Sequence, residues 1–292
     1  MAYTYREVCQ EGTGMLDFLP DARIDARRLL EHVCGTSIQT LLADPDRPVS
    51  RQEYEKYQEL IARRQQREPL AYILGEQEFM GLSFRVSPHV LIPGQDTENL
   101  VEEAMRELTD GSRILDLCTG SGCILLSLLQ YSNHNSGIGT DLSPEALAVA
   151  EENGKRLGLS GRAAWLQGDL FEALEGLPEE KFDLIISNPP YIPTEVIGTL
   201  EPEVKDREPR MALDGGQDGL DFYRRILTEA WKHLYISGSV MLEIGYDQGD
   251  AVRQLMEECG YHDIRIIKDY AGNDRVAAAV RALDQRAPEL IQ

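Results

Sequence analysis

A chain of 292 residues, 42% hydrophobic and 27% charged, has room for two packed domains and the balance of an ordinary soluble globular protein. Its 29 Lys/Arg against 50 Asp/Glu leave a net charge of −21, which argues against a basic face for a nucleic-acid backbone. MAYTYREVCQEGTG has neither the basic start nor the apolar core of a secretion signal, and no run is long enough to span a bilayer. The five cysteines (Cys9, Cys34, Cys118, Cys123, Cys259) show no metal-ligand spacing and no disulfide framework, so a reducing cytoplasm is the expected setting.

Residues 1–75 show helical spacing. DARIDARRLLEHVCG sets Ile24, Ala26, Leu29, Leu30 and Val33 along one face before Gly35. SRQEYEKYQELIARRQQREPL repeats the pattern through Tyr54, Tyr57, Leu60 and Ile61 and ends ahead of Pro69. A small all-α domain over 1–74 follows. The period then changes to two: Leu82, Phe84 and Val86 alternate with polar neighbours after Met80-Gly81, predicting a linking β-hairpin over 75–94.

From 95 to 292 strands and helices alternate, with strands expected at 113–117, 137–140, 164–167, 182–187, 239–244, 263–267 and 275–280. Helices are expected near 95–108, 122–131, 144–158, 219–235 and 248–259, the third opened by Ser143-Pro144-Glu145. Such alternation means a mostly parallel seven-stranded sheet covered on both faces. The short DYAGND connection cannot make a parallel crossover, so the last strand runs antiparallel. Residues 1–75 hold 10 Lys/Arg and 12 Asp/Glu, which leaves 19 and 38 for the remainder. The acidity therefore lies where a catalytic cleft belongs, and it favours a protein or small-molecule substrate.

RILDLCTGSGCILLSLL joins an apolar strand to an apolar helix through a glycine-containing turn, Gly120 and Gly122, at the sheet edge where open α/β folds bind ligands. The spacing is neither a dinucleotide fingerprint nor a P-loop. Asp116, Asp141 and Asp169 sit at successive strand ends, a set that suits a ribose and a positively charged group better than a pyrophosphate. S-adenosylmethionine meets that description; a plain strand–helix corner with solvated acids is the alternative.

FDLIISNPPYIP ends the next strand in Asn188-Pro189-Pro190-Tyr191. Asn188 offers a side-chain oxygen, Ser187, Asn188 and Pro189 offer backbone carbonyls, and the prolines supply no N–H. A rigid acceptor cluster of this kind can grip a planar –NH₂ by both hydrogens and leave its lone pair facing a sulfonium methyl. Tyr191 can pack on the amide plane. The alternative is an ordinary strand-end turn. No Ser/His/Asp or metal constellation is apparent among His32, His89, His134, His233 and His262.

REPLAYILGEQEF, VLIPGQDTENLVEEA, ILDLCTGSGCI, GTDLSPEALAVAEENGKRLGL, GDLFEAL, FDLIISNPPYIP, EPEVKDREPRMALDGGQDGLDFYRRI, LEIGYDQGDAV and KDYAGNDRVAAA together resemble the HemK-like peptide chain release factor N5-glutamine methyltransferases, in order from Glu68 almost to the C-terminus. The resemblance implies a helical domain, a linking hairpin and a class I (Rossmann-like) methyltransferase domain. It further implies that the substrate is the glutamine of the Gly-Gly-Gln motif in bacterial class 1 release factors. Carried over by position, Cys118, Thr119, Gly120, Ser121 and Gly122 form the methionine-side cofactor loop, Asp141 binds the ribose, and Asp169 with Leu170 lies by the adenine. Asn188 and Pro189 hold the glutamine amide, Pro190 adjoins them, Tyr191 contacts it, and the helical domain recognises the body of the release factor.

Gly94-Gln95 stands where the family has Arg-Pro ahead of Asp96-Thr97-Glu98, and Leu170 stands where some members have an aromatic. Cys118 replaces the first glycine of the cofactor loop, for which a backbone without positive φ is expected. Alternative substrates of the same chemistry are a ribosomal-protein glutamine and, less compatible with the acidic balance, a DNA or RNA adenine N6 amine. A cofactor-binding module without activity is disfavoured by the intact Asn188–Tyr191. The expected state is a monomer with no metal, membrane or direct nucleic-acid partner.

Overall fold

The computed structural model describes residues 3–177 and 181–283. They form two compact units: residues through Glu76 together with Pro202–Arg207, and Gln77–Glu201 together with Glu208 onward.

In the first unit β1 (Tyr3–Thr4) leads into α1 (Tyr5–Met15), followed by α2 (Ala22–Cys34), α3 (Ile38–Ala43), β2 (Pro48–Val49), α4 (Arg51–Gln65) and α5 (Leu70–Leu74). Capping boxes from Thr4 to Glu7 and from Ser50 to Glu53 start α1 and α4, and Gly35, at φ 54°, ends α2. Ala26, Leu29 and Leu30 of α2 pack with Val8, Tyr57, Leu60 and Ile61. Ile24, expected on that face, is 47% exposed instead. At about 100° per residue it points away from Ala26 and Leu30, and its place in the core is taken by Ala22. The antiparallel pairing of Tyr3–Thr4 with Pro48–Val49 adds a strand pair to a region read as all-α. Two residues are too few to show alternation.

Two links in this unit join residues far apart in sequence. Asp25 and Arg64, both buried, form an ion pair at 2.7 Å. Glu203 receives Arg64 at 3.2 Å and Arg67 at 3.1 Å, while Arg207 Nη2 donates to the Gln66 carbonyl at 2.6 Å.

The second unit opens at Gln77, within the hairpin of β3 (Glu76–Phe79) and β4 (Leu82–Arg85), which is turned by Met80 and Gly81 at positive φ. Then come α6 (Gln95–Glu107), β5 (Arg113–Leu117), α7 (Cys123–Gln130), β6 (Ser136–Asp141), α8 (Pro144–Arg156), β7 (Ala163–Gln167) and β8 (Phe182–Ser187). After the one-turn α9 (Pro202–Lys205), which falls in the first unit, follow α10 (Asp221–His233), β9 (Leu234–Glu243), α11 (Gly249–Glu258), β10 (His262–Lys268) and β11 (Asp274–Val280). The seven strands lie in the order β10-β11-β9-β8-β5-β6-β7, and β11 alone is antiparallel to its neighbours.

The central strands are apolar on both sides because both faces are covered. Ile114, Leu184, Ile186 and Met241 face one core with α6 and α7; Leu115, Leu117, Ile185 and Leu242 face the other with α10 and α11. β9 starts five residues ahead of its expected boundary, at Leu234, which pairs with Phe182 across an irregularity. Ser237, at φ 65°, breaks the alternation there. β5 pairs with β6 on one side and β8 on the other, Leu117 lying opposite both Thr140 and Ser187. The carboxyl ends of these three strands open a crevice at the switch in strand order. Among the described residues no helix is long and apolar enough to cross a membrane.

Candidate active site

The turn between β5 and α7 is built from left-handed backbone: Cys118 has φ 56°, Gly120 54° and Gly122 76°. This corrects the expectation for Cys118, whose thiol is accommodated by packing against the sheet core rather than by a relaxed backbone. Thr119 N donates to the Thr140 carbonyl at 2.9 Å, and Gly122 N closes the turn on the Thr119 carbonyl at 2.8 Å. Asp116 is also corrected. It is fully buried, accepts from Thr119 Oγ1 at 2.5 Å, and does not reach the crevice; burial pushes its carboxyl up to about 7. Two acids, not three, remain for a ligand.

Asp141 is the better placed of them. Its Oδ2 accepts from Gly120 N and its Oδ1 from Ser143 N, both at 2.9 Å. These bonds fix the carboxylate at the tip of β6, where burial raises its pKa and the backbone donors oppose the rise. Asp169 pairs with Arg225 of α10 at 2.8 Å, a partner that helical spacing alone did not single out. Leu170 follows at φ 53°, buried.

One cavity brings together Cys118, Thr119, Gly120, Ser121, Asp141, Asp169 and Leu170 with Asn188 and Pro190. Gly122 is not in its lining: a Cβ there would stand 2.8 Å from Trp165, so this glycine serves helix–strand packing. Thr140 adds to the wall a buried hydroxyl without a partner among the described residues. Fixed carboxylate, spare hydroxyl, close backbone and the apolar flanks Leu142, Leu170 and Phe222 fit a nucleoside carrying a short charged tail.

At the end of β8, Ser187 Oγ donates to the Leu117 carbonyl at 2.6 Å and ties the two strand ends together. Asn188 Nδ2 donates to Thr97 Oγ1 at 3.1 Å, which leaves Oδ1 as the acceptor beside the cavity. Pro189 and Tyr191 are absent from the lining. The Tyr191 phenol instead donates to Glu243 Oε1 at 3.4 Å, while Gln248 Nε2 donates to the Tyr191 carbonyl at 3.0 Å and the Gly219 carbonyl at 3.2 Å.

Glu243, at the end of β9, is buried; burial pushes it up to about 7 while hydrogen bonding to Thr97 and the Arg275 charge act downward. Thr97, Glu243, Gln248 and Arg275 are the site residues that pattern reading missed. Thr97 was visible as part of an Asp-Thr-Glu segment and Glu243 as a lone acid ending an apolar strand, but Thr97 meets Asn188 from 91 residues away and Glu243 meets Tyr191 from 52. No group of three or more His, Cys, Asp or Glu suited to a metal occurs among the described residues.

Residues 7–75 match the family model described as PrmC N-terminal domain, and residues 108–228 match a methyltransferase domain. A release factor glutamine methyltransferase of Geobacter sulfurreducens is 42% identical over 276 residues, covering 94% of this chain and 95% of that protein. The chain belongs to the release factor glutamine methyltransferase family. Its relative of the same name in Moorella thermoacetica is 44% identical over 262 residues, covering 89% of this chain and 91% of that one. The methyltransferase of Pyrococcus furiosus aligns in structure with a TM-score of 0.53 at 20% identity, over 70% of this chain and 91% of that chain, which shows a shared fold. As a methyltransferase of this family the chain uses S-adenosylmethionine as its methyl donor.

Proposed function

We propose that this methyltransferase replaces one hydrogen on the side-chain amide nitrogen, N5, of the glutamine in the Gly-Gly-Gln motif of bacterial class 1 peptide chain release factors with a methyl group, leaving S-adenosylhomocysteine and a proton released to solvent. The observation that carries the reading is the polarity of Asn188: its amide nitrogen is committed to Thr97, which leaves its oxygen to accept in a cavity that Asn188 lines together with Asp141. An acceptor at that point selects a ligand –NH₂.

S-adenosylmethionine supplies an electrophilic methyl group on a sulfonium. Asp141 would accept from the ribose diol, Asp169 and Leu170 would border the adenine, and the Cys118–Gly122 turn would hold the methionine portion. Asn188 Oδ1 and the carbonyls around Pro189 hold the two amide hydrogens, so the nitrogen lone pair is turned toward the methyl and water is excluded. Pro190 walls the cavity, and Tyr191, braced by Gln248 and Glu243, stiffens the turn from behind. The helical unit recognises the body of the release factor. The enzyme works as a cytoplasmic monomer without direct nucleic-acid contact, in keeping with its acidic charge.

The test is methyl transfer from labelled S-adenosylmethionine to a purified release factor, to the same factor with its motif glutamine changed to alanine, to a ribosomal-protein acceptor and to a DNA duplex. Label on the intact factor alone is the expected result. Equal label on both factors, or label on DNA, overturns the substrate assignment.

A further inference from the structure

We propose that Thr97 is a positioning residue for the transfer reaction: its hydroxyl decides which end of the Asn188 amide faces the cavity. The inference rests on the reading that Asn188 grips the substrate amide. The oxygen and nitrogen ends of an asparagine side chain have nearly the same shape, so packing cannot distinguish them. Turned the wrong way, Asn188 would set its own –NH₂ against the –NH₂ it must hold, donor against donor. Some other group has to break the tie.

Thr97 is placed to do so. It lies in the first turn of α6, is 5% exposed, and also lines the cavity. Its hydroxyl has a single proton, and beside it lies the buried Glu243, whose Oε2 has no hydrogen-bond partner among the described residues and can take it. With that proton committed, the Thr97 oxygen can only accept, and Asn188 Nδ2 at 3.1 Å is the donor that meets it. Arg275, buried at the end of the sheet beside Asp96 and Asp269, supplies the positive charge that favours an acceptor-only Glu243.

The neighbours of Thr97 have other tasks. Asp96 pairs with Arg275 at 3.3 Å, and Glu98 accepts from Met80 N at 2.6 Å, anchoring the hairpin turn. The Asp-Thr-Glu segment thus serves charge, amide polarity and hairpin placement through successive side chains.

The experiment compares Thr97→Val, which keeps the shape and removes the hydroxyl, with Thr97→Ser, which keeps the hydroxyl, and with Asn188→Ala. Steady-state kinetics use a purified release factor, and donor-site integrity is read from binding of S-adenosylhomocysteine by calorimetry. We expect Thr97→Val to lower kcat by about 100-fold, comparable to losing a preorganised donor or acceptor. KM for the release factor and the affinity for S-adenosylhomocysteine should stay within about threefold, and Thr97→Ser should restore most of kcat. Thr97→Ala carries the same expectation if the valine variant does not fold. Loss in Thr97→Ser equal to that in Thr97→Val would make packing the cause and overturn the inference. So would near-native kcat in Thr97→Val alongside an inactive Asn188→Ala. Full activity in Asn188→Ala would instead remove the amide-grip reading itself.

Discussion

Cys118 shows how one residue can carry a local cost inside a well-determined turn. A side chain in the left-handed region costs about 1–2 kcal/mol, and here the rest of the turn, from the Thr119 N–H to the Gly122 N–H, holds the backbone in place. The cysteine stays because its small thiol packs on the core under the sheet end. Burial pushes that thiol far above its ordinary range, so it is unreactive at neutral pH. Cys118→Gly should leave stability within about 1 kcal/mol of the parent, since relief of the left-handed cost offsets the lost packing. Cys118→Val, branched at the position that crowds positive φ, should cost about 2 kcal/mol or more. Denaturant melts of the two variants measure this; equal effects would mean that the turn relaxes around its first residue.

Among the elements, α2 and α4 are joined by more than their apolar faces. Asp25 and Arg64 sit between them with side-chain exposures of 7% and 10%. Removing one partner of such a pair typically costs about 3–5 kcal/mol, because the other is left buried without compensation. Arg64→Met should therefore destabilise the helical unit by that order, and Asp25→Asn combined with Arg64→Met should recover much of it. A double variant no more stable than the single one would place the loss with Glu203 and the Glu68 carbonyl, which Arg64 also holds. Helical spacing was a sound guide to these helices, yet it placed Ile24 inside and gave no sign that Asp25 is buried. Spacing identifies a stripe, whereas the neighbours decide where the stripe is centred.

Over the whole molecule the net charge of −21 is joined by three carboxyls, Asp116, Glu208 and Glu243, that burial pushes up to about 7. A group whose folded pKa is raised favours the native state while protonated, and that contribution is lost progressively as pH rises from the unfolded value to the folded one. Carboxylates held low by partners, such as Glu53, Glu68 and Asp269, contribute above their ordinary range and are lost only on acidification. The melting temperature should thus fall between about pH 4.5 and 7.5 and level off above that. Added salt should recover only the part due to surface repulsion. Glu208→Gln, which keeps a side-chain acceptor for Ile92 N, should flatten that decline. A melting temperature that rises steadily from about pH 4.5 to 7.5 would contradict the burial of these acids.

By itself the sequence determined the strands of the central sheet, the glycine turn after β5 and the Asn188–Tyr191 turn after β8. Those are contiguous segments whose burial on both faces, or whose lack of donors, is written into neighbouring residues. It also determined the antiparallel last strand, because a short connection excludes a crossover. The tertiary structure alone decided that Asp116 is sealed under the turn, that Thr97 meets Asn188 from 91 residues away, and that Tyr191 leans on Glu243 from 52. It likewise decided that Glu203 joins the end of α4 and the turn after it, 136 to 139 residues before. Periodicity reports only what adjacent residues share, whereas a buried polar group finds its partner through strand order and register, which no local pattern encodes.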